Sequence, residues 1–228
     1  MKIFCVIPAW NEEKNISQSI LSVLDKVDFT VVVDDCSDDN TYSLAKKISQ
    51  QVEAENKLKV LRHPINLGQG AALQSGNEYA LKNGADIIVH FDADGQFLSE
   101  EIKTLVEPIL RGQADIVFGS RFLEIKSKMP KFKKNIIMPL AKVFNFIFFG
   151  IKTSDPQSGF RAMNKEVAEK IKIENNRMAH CTEILGKAHK YRFKIKEVPI
   201  TVIYNDFGQK FSGSFRIIKD LFLKKINN

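Results

Sequence analysis

The chain has 228 residues, enough for one large domain with a full core or at most two small ones. Hydrophobic residues make up 44% and charged residues 27%, which excludes a disordered or fibrous chain, and no internal period or low-complexity tract appears. The formal net charge of +7 is unevenly spread: Lys126, Lys128, Lys131, Lys133 and Lys134 crowd one segment, and Lys219, Lys224 and Lys225 another. Such clusters read either as a solvated basic face or as a surface for anionic lipid, phosphorylated substrate or nucleic acid.

The opening run, MKIFCVIPAW, is too short in its apolar part, and too soon broken by Pro8, for a signal peptide. A first strand is therefore expected from the start of the chain, in a protein that is not exported. Cys5, Cys36 and Cys181 are widely separated and form no CxxC pair, so neither a disulfide framework nor a zinc site is expected. Cys5 sits in an apolar run and reads as core.

Apolar, β-rich runs follow over Ile3 to Ile7, Phe29 to Val33, Leu58 to Leu61, Asp86 to Phe91 and Ile116 to Phe118. Helical stretches alternate with them near Glu12 to Leu24, Thr41 to Val52, Gly70 to Lys82 and Glu100 to Leu110, with Ile16, Ile20, Leu21 and Leu24 at helical spacing. Strands apolar on both faces, alternating with helices, predict an α/β domain with a mostly parallel central sheet flanked by helices. Ligand sites in that architecture lie beyond the carboxyl ends of the strands. The polar and turn-forming residues PAWNE, DDCS, RHPINLG, DADGQ and GSR follow the five strands in turn, so that edge is the expected active site.

Beyond residue 122 the pattern changes. Asn135 to Ile151 is apolar but is interrupted by Pro139, Lys142 and Asn145, and it falls short of the ~20 residues needed to span a bilayer. It reads as an internal helix or, given the lysines before it, as an interfacial one. The closing segment SFRIIKDLFLKKINN repeats the basic amphipathic theme. Segments 126–151 and 212–228 are accordingly the expected membrane-surface contacts.

The run DADGQ at 92–96 carries the most chemistry. Asp92 and Asp94 leave a strand two residues apart and point to one side, where they would repel unless a cation sits between them. Mg²⁺ or Mn²⁺ suits an all-oxygen site of this kind, with Gln96 beside it. A calcium EF-hand is excluded, because Gly95 comes one place early and Lys103 stands where the twelfth-position glutamate belongs. A solvated structural pair is the plain alternative. The four histidines show no metal-binding spacing, and His90 reads as a core histidine.

PAWNEEKNI, VVVDDCSDDNT, NLGQGAAL, HFDADGQF, FGSRF, SDPQSGFRAM and KEVPITV occur in that order. Together they resemble the family 2 glycosyltransferases of the GT-A (nucleotide-diphospho-sugar transferase) fold, especially the polyprenyl-phosphate (dolichyl-phosphate) mannosyl- and glucosyltransferase branch. The resemblance runs from Met1 to about Tyr204. It implies a single domain, 1–228, with a nucleotide-sugar-binding half, 1–122, and an acceptor half, 123–228.

On the matching positions, Pro8, Ala9, Trp10 and Glu12 correspond to the turn that contacts the donor's base and ribose, Asp35 to the acid that reads the base, and Gly68 and Ala93 to donor-binding positions. The resemblance further implies Asp92 and Asp94, with Gln96, as metal and diphosphate ligands, Arg121, Arg161 and Lys210 as phosphate contacts, and Asp94, Arg121 and Glu183 as catalytic. Cys36 and Asn40 replace glycines usual in the second motif, Trp10 replaces a tyrosine, and Gln69 stands where many relatives have lysine.

The expected reaction is an inverting displacement from a UDP- or GDP-sugar. An anionic lipid-phosphate acceptor would need little base catalysis, whereas a sugar hydroxyl would need a carboxylate, for which Glu183 and Asp94 are the candidates. A polyprenyl phosphate acceptor at the cytoplasmic membrane face, with a small integral-membrane partner, is the leading expectation. A transferase acting on a glycan hydroxyl, or a non-catalytic nucleotide-binding module, are the alternatives. A sugar nucleotidyltransferase would need a glycine-rich loop where PAWNEE stands. No recognition-helix, RNP or zinc pattern appears, so no nucleic acid partner is expected.

Overall fold

The computed structural model describes residues 1–52, 56–123, 153–177 and 179–203. Seven strands form one sheet: β1 (Ile3–Ala9), β2 (Phe29–Asp34), β3 (Leu58–Arg62), β4 (Ile87–His90), β5 (Ile116–Ser120), β6 (Arg161–Asn164) and β7 (Ile195–Pro199). Their order is β3-β2-β1-β4-β6-β5-β7. All pairings are parallel except those of β6, which runs antiparallel to both β4 and β5.

The helices are α1 (Ile16–Val23), α2 (Thr41–Val52), α3 (Gln69–Lys82), α4 (Ile102–Leu110), α5 (Lys165–Lys170) and α6 (His180–Lys190), with a 3₁₀ turn, Ser99–Glu101, leading into α4. Strand alternation divides the core in two. Cys5 and Ile7 of β1 face Ile16 and Ile20 of α1, Ala45 of α2 and Leu105 of α4. Phe4 and Val6 face Leu73 of α3, Val167 of α5 and Ile184 of α6. Helices therefore cover both faces, which is why β1, β2, β4 and β5 read as continuous apolar runs. Gly76 lets α3 lie close on β1, because a β-carbon there would strike Val6.

Two strands and two helices were absent from the sequence expectation. β6 is four residues long and carries Arg161, while β7 is half-exposed and mixed in polarity, so neither presents an apolar run. The first helix starts at Ile16 and not at Glu12, because Asn15 and Ile16 turn their amides back onto the Glu12 carbonyl at 3.0 and 2.8 Å. No helix among the described residues is long and apolar enough to cross a membrane. The basic segments 126–151 and 212–228 lie outside the described residues, as does Lys210.

Candidate active site

The parallel strands deliver their carboxyl ends to one edge, and antiparallel β6 delivers its amino end there, bringing residues 158–160 to the same place. The DADG turn leaves β4 at this edge. Gln96 N–H donates to Asp94 Oδ1 at 3.0 Å, and Ile203 N–H to the Gln96 carbonyl at 2.9 Å. An aromatic wedge supports the turn from below, with Phe160 edge-on to Phe91 at 5.4 Å and stacked on Phe97 at 4.9 Å. Gly159 lies so close to Asp92 that a β-carbon would overlap its Oδ2.

Burial, and then the charge of Asp94, raise the Asp92 carboxyl to about 7, with Cys181 adding to the rise and Arg161 and His180 opposing it. Burial also raises Asp94, against the bond from Gln96. Glu12 is raised by burial and by the charges of Asp94 and Asp39, against a 3.0 Å bond from Asn15. Asp92, Asp94 and Glu12 thus share one electrostatic neighbourhood.

Pro8 and Ala9 end β1, and the Ala9 carbonyl accepts from Asp35 N–H at 2.8 Å. Trp10 follows, 52% exposed, with its ring available at the edge. Ala93 is buried and its carbonyl takes a 2.9 Å bond from Ser19. Asp35, expected to read a base, is buried and receives three internal donors: His63 at 2.7 Å, Leu67 N–H at 2.9 Å and Gly68 N–H at 2.6 Å. A carboxylate offers about four acceptor positions, so its first role is to shape the loop before α3. That loop brings Gln69 to the site, where its Nε2 donates to Asp92 Oδ1 at 2.8 Å.

Arg121 follows β5 and is paired with Asp155, Nε to Oδ2 and Nη2 to Oδ1, both at 2.6 Å. Arg161, expected at a phosphate, is fully buried in β6. It donates to the Gly159 carbonyl at 3.2 Å and to Cys181 Sγ at 3.1 Å, while its Nη1 has no hydrogen-bond partner among the described residues. His180 Nε2 also approaches Cys181 Sγ, at 3.4 Å. Burial alone would push the Cys181 thiol up, but His180 and Arg161 outweigh it and bring it down to about 6. Cys181 in turn lifts His180 above its ordinary value against the effect of burial.

Glu183, expected to be catalytic, accepts from the amides of Glu174 at 3.1 Å and Asn175 at 2.8 Å and pairs with Lys187 at 2.8 Å. Burial raises its carboxyl, but these donors outweigh burial and lower it, which makes it a weaker base. His90 is buried and shares a 2.8 Å bond with Asn77, a core histidine as its sequence setting suggests.

The donor set fits a hard divalent cation. Asp92 and Asp94 supply carboxylate oxygens that burial holds above their ordinary values, Asp92 also through the charge of Asp94, so a cation between them would offset both costs. Among the described residues no three or more His, Cys, Asp or Glu side chains stand at metal-binding separation. Mg²⁺ and Mn²⁺ commonly take only one or two protein carboxylates and complete their shell with substrate oxygens and water.

A mostly parallel seven-stranded sheet with helices on both faces is the architecture of the GT-A glycosyltransferases. The chain belongs to glycosyltransferase family 2: the profile of Glycosyl transferase family 2 matches residues 4–172. It is 36% identical to an uncharacterised protein of Methanocaldococcus jannaschii, over 99% of this chain and 93% of that protein. It is 33% identical to the UDP-N-acetylglucosamine–dolichyl-phosphate N-acetylglucosaminyltransferase of Methanococcus voltae, over 98% of this chain and 96% of that one. Glucosyl-3-phosphoglycerate synthase of Mycobacterium tuberculosis, solved with Mn²⁺, UDP and glucosyl-3-phosphoglycerate, superposes with a TM-score of 0.69 at 20% identity, covering 96% of this chain and 78% of that one, a likeness of fold.

Proposed function

We propose that the chain is an inverting transferase that moves a sugar from a UDP- or GDP-sugar to a polyprenyl phosphate at the cytoplasmic face of a membrane. The observation that carries this reading is the division of labour among the carboxylates. Of the two candidate bases, Glu183 is committed to two amides and Lys187, which lower its carboxyl, and Asp94 is the carboxylate that this reading gives to the cation. An acceptor phosphate is already anionic near neutral pH and attacks without the strong base that a sugar hydroxyl would require. The dolichyl-phosphate acceptor in the name of the Methanococcus voltae relative supports the same acceptor class.

In this reading Trp10 stacks on the donor's base, Pro8, Ala9, Glu12, Gly68 and Ala93 line the donor's path, and Asp35 offers the base its remaining acceptor position. Asp92 and Asp94, with Gln96 beside them, would hold Mg²⁺ or Mn²⁺. Bound there, the cation would offset the charge that develops on the departing nucleoside diphosphate. Arg121 and Arg161 add positive potential on the same side, and Lys210 contributes to the acceptor's phosphate. The basic segments 126–151 and 212–228 contact the membrane, beside a small integral-membrane partner.

The test is transfer of labelled sugar from a panel of UDP- and GDP-sugars into the lipid phase, with polyprenyl phosphate and Mg²⁺ or Mn²⁺ present. Label in the lipid identifies donor and acceptor class together. Transfer to a soluble glycan with none into lipid would replace the acceptor assignment.

A further inference from the structure

Gln69 opens α3 with its side chain turned onto the site, Nε2 to Asp92 Oδ1 at 2.8 Å. Its backbone is held on both sides. Before it, Gly68 adopts φ +98° and donates to Asp35 Oδ2 at 2.6 Å, while His63 braces that carboxylate at 2.7 Å and meets Ser75 Oγ of α3 at 2.9 Å. After it, Gly70 N–H donates to the Asn176 carbonyl at 2.9 Å.

A β-carbon on Gly68 would strike the Asn176 carbonyl, and one on Gly70 that of Asn175. Residues 174 and 175 are themselves tied to Glu183 through their amides, at 3.1 and 2.8 Å. Asp35 and Glu183, far apart in the chain, therefore fix the backbone on either side of Gln69. The backbone that carries Gln69 is thus anchored where its side-chain amide reaches Asp92 at 2.8 Å, and hydrogen bonds weaken steeply when such a geometry is lost.

We infer that Gln69 is a positioning residue for the divalent cation: it holds the Asp92 carboxylate in one orientation through a neutral hydrogen bond, leaving the negative charge of the Asp92–Asp94 pair for the metal. This rests on the reading that the pair binds Mg²⁺ or Mn²⁺. A supporting hydrogen bond of this kind is how groups behind a ligating carboxylate tune its affinity. Glu183, through the amides of residues 174 and 175, belongs to the scaffold that seats Gln69.

The experiment is a direct Mn²⁺ titration in the presence of UDP, free Mn²⁺ being read by electron paramagnetic resonance, on the parent, Gln69→Leu and Asp92→Asn. Gln69→Leu should weaken Mn²⁺ binding about tenfold, the worth of one hydrogen bond to a charged group. It should raise the metal concentration for half-activation by a similar factor while keeping kcat at saturating metal. If Gln69→Leu lowers the melting temperature, Gln69→Asn, one methylene shorter and equally polar, reads the same affinity in a folded protein. Loss of Mn²⁺ in Asp92→Asn with parent-like affinity in the folded Gln69 variant would overturn the role of Gln69 alone. Parent-like affinity in Asp92→Asn would overturn the metal reading and this inference together.

Discussion

Asp155 grips Arg121 at two points, each at 2.6 Å, and Glu197 of β7 holds the Asp155 backbone amide at 3.2 Å. Glu197 also takes Thr153 Oγ1 at 2.7 Å, Ser154 N–H at 2.9 Å and Ser154 Oγ at 2.8 Å. Three motifs separate in sequence, FGSRF, SDPQSGF and KEVPI, are thus one network that fixes the Arg121 guanidinium in place.

Asp155→Ala removes a fully buried carboxylate and with it both of its bonds to the Arg121 guanidinium. It should cost about 3 kcal/mol of stability, as broken buried pairs do, and lower turnover by misplacing Arg121. Denaturant unfolding, together with a kcat measurement, checks this. A loss below about 1 kcal/mol, the range of surface pairs, would show that the pair is not buried in solution.

Gly159→Ala would place a methyl against Asp92 Oδ2. The carboxylate must turn away, so Mn²⁺ affinity should fall, with a stability loss of about 1–3 kcal/mol from overpacking. Calorimetric Mn²⁺ titration and thermal unfolding read the two effects separately. Unchanged Mn²⁺ binding would mean that Asp92 relaxes without cost.

The pH dependence follows from Asp92, raised by burial and by Asp94 from an ordinary 3.8 to about 7. A carboxyl with a raised folded pKa stabilises the fold while protonated. That contribution is full below the unfolded value and is lost as pH rises through about 7. Metal-free protein should therefore become less stable across this window as pH rises. Mn²⁺ affinity should increase over the same range, because the cation displaces the proton. Affinity that is flat with pH would show that Asp92 is ionised throughout.

Cys36 occupies φ +59°, a left-handed conformation that costs a side-chain-bearing residue about 1–2 kcal/mol and glycine little. Cys36→Gly, which restores the residue usual in the second motif, should stabilise the protein by up to about 1 kcal/mol after the added chain entropy of glycine. Thermal unfolding of the two proteins gives the sign directly.

Much of the fold was legible because its signals are local. Apolar runs announced β1 to β5, and the residues following them marked the edge on which Asp92, Asp94, Asp35 and Arg121 stand. β6 escaped notice because four residues containing an arginine carry no periodicity, and β7 because it is short and mixed in polarity. Gln69 was visible only as a departure from lysine. Its contact with Asp92 depends on a strand and a helix start that sequence spacing does not join.

The sequence by itself determined an α/β sheet, the edge at which the candidate site stands and the carboxylate pair at that edge, since strand periodicity and turn-forming residues act within a few positions of one another. Only the tertiary structure decided what each charged group does. Glu183 became an anchor for residues 174 and 175, Arg121 the partner of Asp155, and Arg161 a buried donor to Cys181. The physical reason is that the basicity and availability of an ionisable side chain depend on the donors and charges that surround it, and here these arrive from distant parts of the chain.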